Sequence, residues 1–253
     1  MQSQFFNKNI FQFKSLFNKI VNNCILMKKK LFYICLFLIY SCGNSIKIVD
    51  KPIVFNEKRT QLTQEYLSKR YGLEQDNPKI IPRMIVLHWT AIPTFQESFE
   101  AFNKPELSKR PNIASASSLN VSSHFLVDQD GTIYRLMSET IMARHVIGLN
   151  HTAIGIENVG GTSEVTLTQK QIDANVRLVK YLTKKYSIEY LIGHYEYIKF
   201  TNHKLWLEVD DNYRTKKTDP GEDFMKAVRK RVKKYNLKST PVKKSIEYQD
   251  AKN

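Results

Sequence analysis

The main body of this 253-residue chain contains no cysteine. Its three cysteines, Cys24, Cys35 and Cys42, all lie near the N-terminus. That excludes a thiolate metal site and a disulfide framework for the main domain. No apolar run approaches the roughly twenty residues that a membrane-spanning helix needs; the run over residues 31–40 stops at ten. Short metal signatures of the C-x-x-C or H-E-x-x-H kind are missing, and so is any internal repeat. Acid is scarce at both ends. Residues 1–42 carry six lysines and no acidic residue, and residues 226–253 carry ten basic against two acidic. The formal net charge of +15 therefore leaves only +1 for residues 43–225. A nearly neutral body offers no basic face to a phosphate backbone, so nucleic acid is not an expected partner.

What is present at the N-terminus reads as an address. Met27 is followed by Lys28, Lys29 and Lys30, then the ten apolar residues, then Ser41, Cys42 and Gly43. A basic start, a short apolar stretch and small residues describe a secretory signal. Ile39-Tyr40-Ser41-Cys42 resembles a bacterial lipobox, in which the cysteine carries lipid and begins the mature chain. The expectation is a start at Met27, with residues 1–42 as N-terminal extension plus lipoprotein signal. The mature chain would be lipid-anchored through Cys42. Residues 43–60 lack periodicity and read as a tether. Residues 237–253 read as a basic, disordered tail.

Between them, residues 61–236 read as one domain. Met84-Ile85-Val86-Leu87 is a fully apolar run, a buried strand. Residues 124–136 carry a hairpin signal with Asp130-Gly131 in the turn. Residues 153–157 and 190–193 are further short strands. Residues 61–71, 95–102 and 168–186 read as helices, the last with Ile172, Val176, Val179 and Leu182 on one face. A final helix over 221–235 is announced by KTDPGED, with Asp219 as N-cap and Pro220 at the first helical position. Alternating strands and helices predict an α/β fold, a single domain with a mixed central β-sheet flanked by helices.

Three strands end in chemically capable residues: His88, Glu157 and His194. In open α/β sheets ligands bind at the carboxyl ends of strands. A catalytic zinc site takes three protein ligands and keeps a position open. His88 and His194 supply two. Glu157 or Asp219 could be the third, which leaves the other carboxylate as a general base. His124, His145, His151 and His203 dilute the signal, because any pair of histidines could have been chosen.

The succession IVLHWTA, VSSHFLVDQDGTIY, RHVIGLNHTAIGIENVGG, LIGHYEY and KTDPG resembles the zinc-dependent N-acetylmuramoyl-L-alanine amidases. Within them it resembles the branch of phage endolysin and anhydro-muropeptide amidases, whose fold the peptidoglycan recognition proteins share. The match runs from about residue 84 to about residue 232. The resemblance implies one Zn2+ per chain on His88, His194 and Asp219, with Glu157 as catalytic acid and base and Lys217 assisting. His124 and His145 would lie behind the ligands or line the substrate cleft. Ser123 stands where phage members have a catalytic tyrosine, which gives the base role to Glu157. The stretch from Tyr195 to Thr218 is longer than usual in the family, and its aromatics would pack it down or wall the pocket.

The implied reaction is hydrolysis of the amide between N-acetylmuramic acid and L-alanine in peptidoglycan or muropeptides. The enzyme would be a monomer in the bacterial envelope, anchored at the outer membrane and facing the periplasm. Two other readings stand beside it: a non-catalytic peptidoglycan-binding module, and a zinc amidohydrolase of another substrate.

Overall fold

The computed structural model describes Met27, residues 46–107 and residues 111–241. Residues 46–241 build one α/β unit around a six-stranded sheet. The strands are β1 (Val49–Asp50), β2 (Met84–Leu87), β3 (Phe125–Val127), β4 (Ile133–Arg135), β5 (Ala153–Asn158) and β6 (Tyr190–Gly193), and the helices of more than two turns are α1 (Glu57–Tyr71), α2 (Phe95–Asn103), α3 (Gln169–Lys185) and α4 (Glu222–Val232). Their order is β1-β4-β3-β5-β2-β6, with only the β3/β4 hairpin antiparallel. The mixed sheet is the one expected, and the hairpin turn falls at Gly131, which adopts φ 81°. Among the described residues no helix is long and apolar enough to cross a membrane.

The strands are hydrophobic on both faces because both faces are covered. All four residues of β2 are fully buried, each worth about 1.5–3 kcal/mol relative to exposure. Alternation sorts them. Ile85 and Leu87 join Ile154, Ile156 and Leu191 on one face, under helices α3 (Gln169–Lys185) and α4 (Glu222–Val232). Met84, Val86, Ala153, Tyr190 and Ile192 face the other way, into a cluster with Val146, Leu149, Tyr197, Phe200 and Leu205. The same alternation puts Glu157 of β5, and His88 and His194 just past the ends of β2 and β6, on the second face. The period of two thus sends three polar groups to one side of the sheet.

Helix α3 is set by a capping box: the Thr168 hydroxyl accepts from the Gln171 N–H, and the Gln171 side chain accepts from the Thr168 N–H. Val176, Val179 and Leu182 are buried as the periodicity predicts, with Ile172 partly so. Gln171 and Asn175 are buried on the same helix, where Gln171 Nε2 donates to the carbonyls of Val127 and Val159.

Three boundaries differ from expectation. The tether assigned to residues 43–60 belongs to the fold from residue 46 onward. Val49 and Asp50 pair with β4, Ile53 is buried, and helix α1 (Glu57–Tyr71) begins four residues before position 61 because the Asn56 side chain caps it. The first residues assigned to the tail belong to the fold: Lys238 exchanges backbone hydrogen bonds with Glu189 and Leu191, and Leu237 packs on the core. The predicted cap also shifts. Gly221, at φ 87°, precedes α4 where Asp219 was expected to do so, and this frees the Asp219 carboxylate. Residues 1–26, 28–45 and 242–253, with the signal, Cys42 and the rest of the tail, lie outside the described residues.

Candidate active site

His88 follows β2 directly, and its backbone is held on both sides. Its N–H donates to the Ile156 carbonyl at 2.8 Å, and its own carbonyl accepts from the Asn158 backbone at 3.1 Å and the Asn158 side chain at 2.8 Å. Asn158 is in turn fixed by Asn175 of α3, whose amide donates to it at 2.6 Å. These two asparagines were not among the expected site residues. Asn158 points away from Glu157 because neighbouring strand residues face opposite sides, and only the packing of α3 identifies its partner.

His194 opens a 3-10 helix, His194–Phe200, at the end of β6. The Gly193 N–H donates to Glu196 at 2.9 Å, and Glu196 forms an ion pair with Arg229 of α4. A side chain at Gly193 would press on the Tyr195 ring, 2.6 Å from a Cβ. Asp219 meets this corner through its carbonyl, which accepts from the Tyr195 N–H at 3.1 Å.

The three side chains converge. Nδ1 of His88 and Nδ1 of His194 are 3.0 Å apart, and Oδ2 of Asp219 lies 3.1 Å from the first and 3.0 Å from the second. All three residues are buried. Burial pushes the His194 imidazole down to about 4, and neighbouring His88 adds to this against the pull of Asp219. For Asp219 burial acts upward, but the charge and hydrogen bonds of His194 and His88 outweigh it and hold the carboxyl well below the ordinary range. At neutral pH the His194 imidazole is therefore neutral and the Asp219 carboxyl ionised, and their lone pairs together with the ring nitrogen of His88 suit a cation.

The triangle opens on a cavity of about 250 Å3 that Glu157 and Lys217 also line. Trp89, Tyr213 and Thr215 form part of its wall. The long segment 195–218 packs down mainly on the core. Tyr197, Phe200 and Leu205 are buried in the core, while Tyr213 and Thr215 reach the cavity. Arg70 of α1 clips the segment down through ion pairs with Glu208 at 2.5 Å and Asp210 at 3.5 Å.

The remaining histidines separate. Nδ1 of His145 lies 3.0 Å from Nε2 of His88, and His145 lines the cavity. His124 is fully buried: its Nε2 lies 2.9 Å from the Ile141 carbonyl and its Nδ1 accepts from the Gly155 N–H at 3.0 Å. Burial lowers it to about 4. Its ring touches that of His145 rather than the ligands. His151 packs on Tyr71 and His203 on Tyr190. Ser123 is buried and donates to the Phe125 carbonyl, so its hydroxyl is engaged in the backbone.

Arg144 was not expected. It is buried, yet among the described residues its guanidinium meets no carboxylate. It donates instead to the carbonyls of Ile113, Ser117 and Leu119 and to the Tyr213 hydroxyl, and it lies over the Tyr66 ring. The group thereby ties the loop around residues 113–119 to the cavity wall. An arginine beside His145 is no signal for such a clamp, because its acceptors are backbone atoms distant in sequence.

Among solved structures the chain is similar to the amidase LysC from Clostridium intestinale, at 22% identity over 77% of this chain and 100% of that one, with a TM-score of 0.47. It is also similar to AmpD, at 20% identity over 75% and 96% with a TM-score of 0.45. A third is human PGRP-IβC in complex with glycosamyl muramyl pentapeptide, at 17% identity over 62% and 88% with a TM-score of 0.43. No curated protein matches the sequence. The family model described as N-acetylmuramoyl-L-alanine amidase matches residues 66–222, more than half of the chain. The chain belongs to that family, the N-acetylmuramoyl-L-alanine amidases, hydrolases of a linear amide bond.

Proposed function

We propose that this amidase is zinc-dependent, with one Zn2+ per chain on His88, His194 and Asp219, and cleaves the bond joining N-acetylmuramic acid to L-alanine in peptidoglycan or its fragments. The observation that carries the reading is the buried triangle of two imidazole nitrogens and one carboxylate oxygen, each pair 3.0–3.1 Å apart, opening on a cavity lined by Glu157 and Lys217. Two neutral imidazoles and a carboxylate fit zinc, which favours nitrogen and oxygen donors and uses three of them in catalytic sites. When bound, zinc supplies Lewis acidity, polarising the amide carbonyl and lowering the pKa of water.

The chain's own groups do the rest. The Glu157 carboxylate takes the proton of the attacking water and delivers it to the alanine nitrogen as the C–N bond breaks. The Lys217 ammonium is a fixed positive charge facing the carbonyl oxygen as it becomes anionic. Tyr213, Thr215 and Trp89 shape the wall against which the glycan and peptide lie.

The test is digestion of purified sacculi and of soluble muropeptides by the zinc-loaded full chain, with products read by mass spectrometry. The expected products are peptides with a free L-alanine amino terminus and glycan carrying a free lactyl carboxylate. Sedimentation with sacculi and no release would make the chain a peptidoglycan-binding module. Cleavage of another amide would make it a different amidohydrolase.

The proposal extends to location. A lipid on Cys42 would hold the enzyme in the bacterial envelope, at the outer membrane and facing the periplasm, as a monomer within reach of the wall. What supports this is the signal-like sequence before Cys42. Labelled palmitate should enter the wild-type chain and not Cys42→Ala; equal labelling of both would remove the anchor.

A further inference from the structure

We infer that His145 is a positioning residue that presets His88 as a ligand, by keeping the His88 ring proton on Nε2 and its Nδ1 lone pair on the metal side. The inference rests on the reading of His88 as a ligand and concerns how that ligand is prepared.

The argument is a chain of donors and acceptors. Nε2 of His145 lies 3.1 Å from the Ala153 carbonyl, which can only accept, so that nitrogen carries a proton. A neutral imidazole has one ring proton, so with that proton on Nε2 the Nδ1 of His145 is an acceptor. The atom 3.0 Å away is Nε2 of His88, which must donate. A neutral His88 that donates from Nε2 has a bare Nδ1, the atom 3.0 Å from Nδ1 of His194 and 3.1 Å from Oδ2 of Asp219.

The effect of His145 lies in what it opposes. A carboxylate is a strong acceptor, and Oδ2 of Asp219 is close enough to draw the His88 proton to Nδ1. That would close the ligand triangle on itself with an internal hydrogen bond. His145 offers the competing acceptor on the opposite side of the ring. Its own position is fixed from two directions. Oδ1 of Asn150 accepts from the N–H groups of both His145 and Val146 at 2.8 Å, and Asn150 is held by the Tyr71 hydroxyl at 2.9 Å. The His145 ring also rests against Gly155, where a Cβ would stand 2.8 Å from it. The ring centroids lie 5.1 Å apart with the planes at 87°, and with 3.0 Å between the nitrogens the two rings meet nitrogen to nitrogen at their edges.

The experiment reads the tautomer directly, by long-range 1H–15N correlation NMR of the metal-free full chain, with His88 assigned by comparison with His88→Gln. In the wild type the His88 proton is expected on Nε2. In His145→Phe, which keeps a ring against Gly155 but has no acceptor, it should move to Nδ1. Zinc affinity, measured by chelator competition, should fall about 10–100-fold, the cost usual for losing a partner behind a metal-bound histidine. In His145→Gln, whose carbonyl can accept, most of the affinity should return. A structural role alone would lower the unfolding temperature of both variants and leave the His88 tautomer unchanged. A wild-type His88 protonated on Nδ1 overturns the inference even if no variant folds, and so does unaltered zinc affinity in a folded His145→Phe. None of these readouts involves peptidoglycan, so failure of the proposed reaction would be seen separately, in the sacculus digest.

Discussion

A methyl group on Gly155 would stand 2.8 Å from the His145 imidazole, closer than packed carbon atoms come. The glycine in the strand sequence Ala153-Ile-Gly-Ile-Glu157 is therefore the seat of a histidine from another loop. Gly155→Ala should displace that ring and cost about 1–3 kcal/mol, as overpacking does in a tight core. Thermal unfolding of the metal-free protein checks the loss. Zinc affinity should fall in the same variant, because the displaced ring is the one in contact with His88.

The ligands and the base should separate cleanly. His88→Ala, His194→Ala and Asp219→Ala should each lose bound zinc, measured by elemental analysis, and lose activity with it. Glu157→Gln should keep zinc and fold while turnover falls about 10²–10⁴-fold, the usual contribution of a positioned acid–base group. A Glu157→Gln enzyme at near wild-type rate would move the base role to another residue.

Arg144 should act through the cavity wall. Its guanidinium serves three backbone carbonyls and the Tyr213 hydroxyl. Arg144→Met removes the donor to the two buried acceptors, the Leu119 carbonyl and the Tyr213 hydroxyl, at a cost of about 1–3 kcal/mol each. The expected result is a lower unfolding temperature and a raised KM, with zinc content unchanged because Arg144 touches none of the three ligands.

Glu139 should make part of the stability dependent on acid. It is buried, and it meets Arg135 at 3.3 Å, Lys185 at 3.2 Å and the Tyr181 hydroxyl at 3.4 Å. Burial raises its pKa, but backbone contact and the charges of Arg135 and Lys185 outweigh that and leave it below the ordinary value. A depressed carboxylate stabilises the fold above its unfolded pKa of about 4.3, and that stabilisation is lost as pH falls through the lower folded value. Urea unfolding of Glu139→Gln should show lower stability than wild type at pH 7 and a smaller further loss on acidification below about pH 4.

Much of the site was legible in the sequence because strand periodicity carries it. His88, Glu157 and His194 each close an apolar run, so the expected sheet already put them at the carboxyl ends of strands; that they share one face is seen in the alternation of the packed sheet. Family motifs select Asp219 over Glu157 as the expected third ligand, and its Oδ2 lies 3.0–3.1 Å from Nδ1 of both His88 and His194. The local reading of KTDPGED was less successful. Asp219 has the composition of a helix cap, but the helix begins after Gly221, and the carboxylate is spent on His88 and His194 instead.

The strand runs, the α3 face and the hairpin were determined by the sequence alone, because alternation, amphipathicity and a tight turn are local properties of neighbouring residues. The order β1-β4-β3-β5-β2-β6, the adoption of residues 46–60 into the fold and the supports of the site were decided by the tertiary structure. Asn158 reaches Asn175 across a strand–helix contact, Arg144 finds carbonyls some thirty positions back, and His145 finds His88 because Gly155 leaves it room. Each of these is a hydrogen bond or a steric fit between segments far apart in the chain. Such contacts depend on which atoms the packed sheet brings within about 3 Å, and no spacing along the sequence encodes that distance.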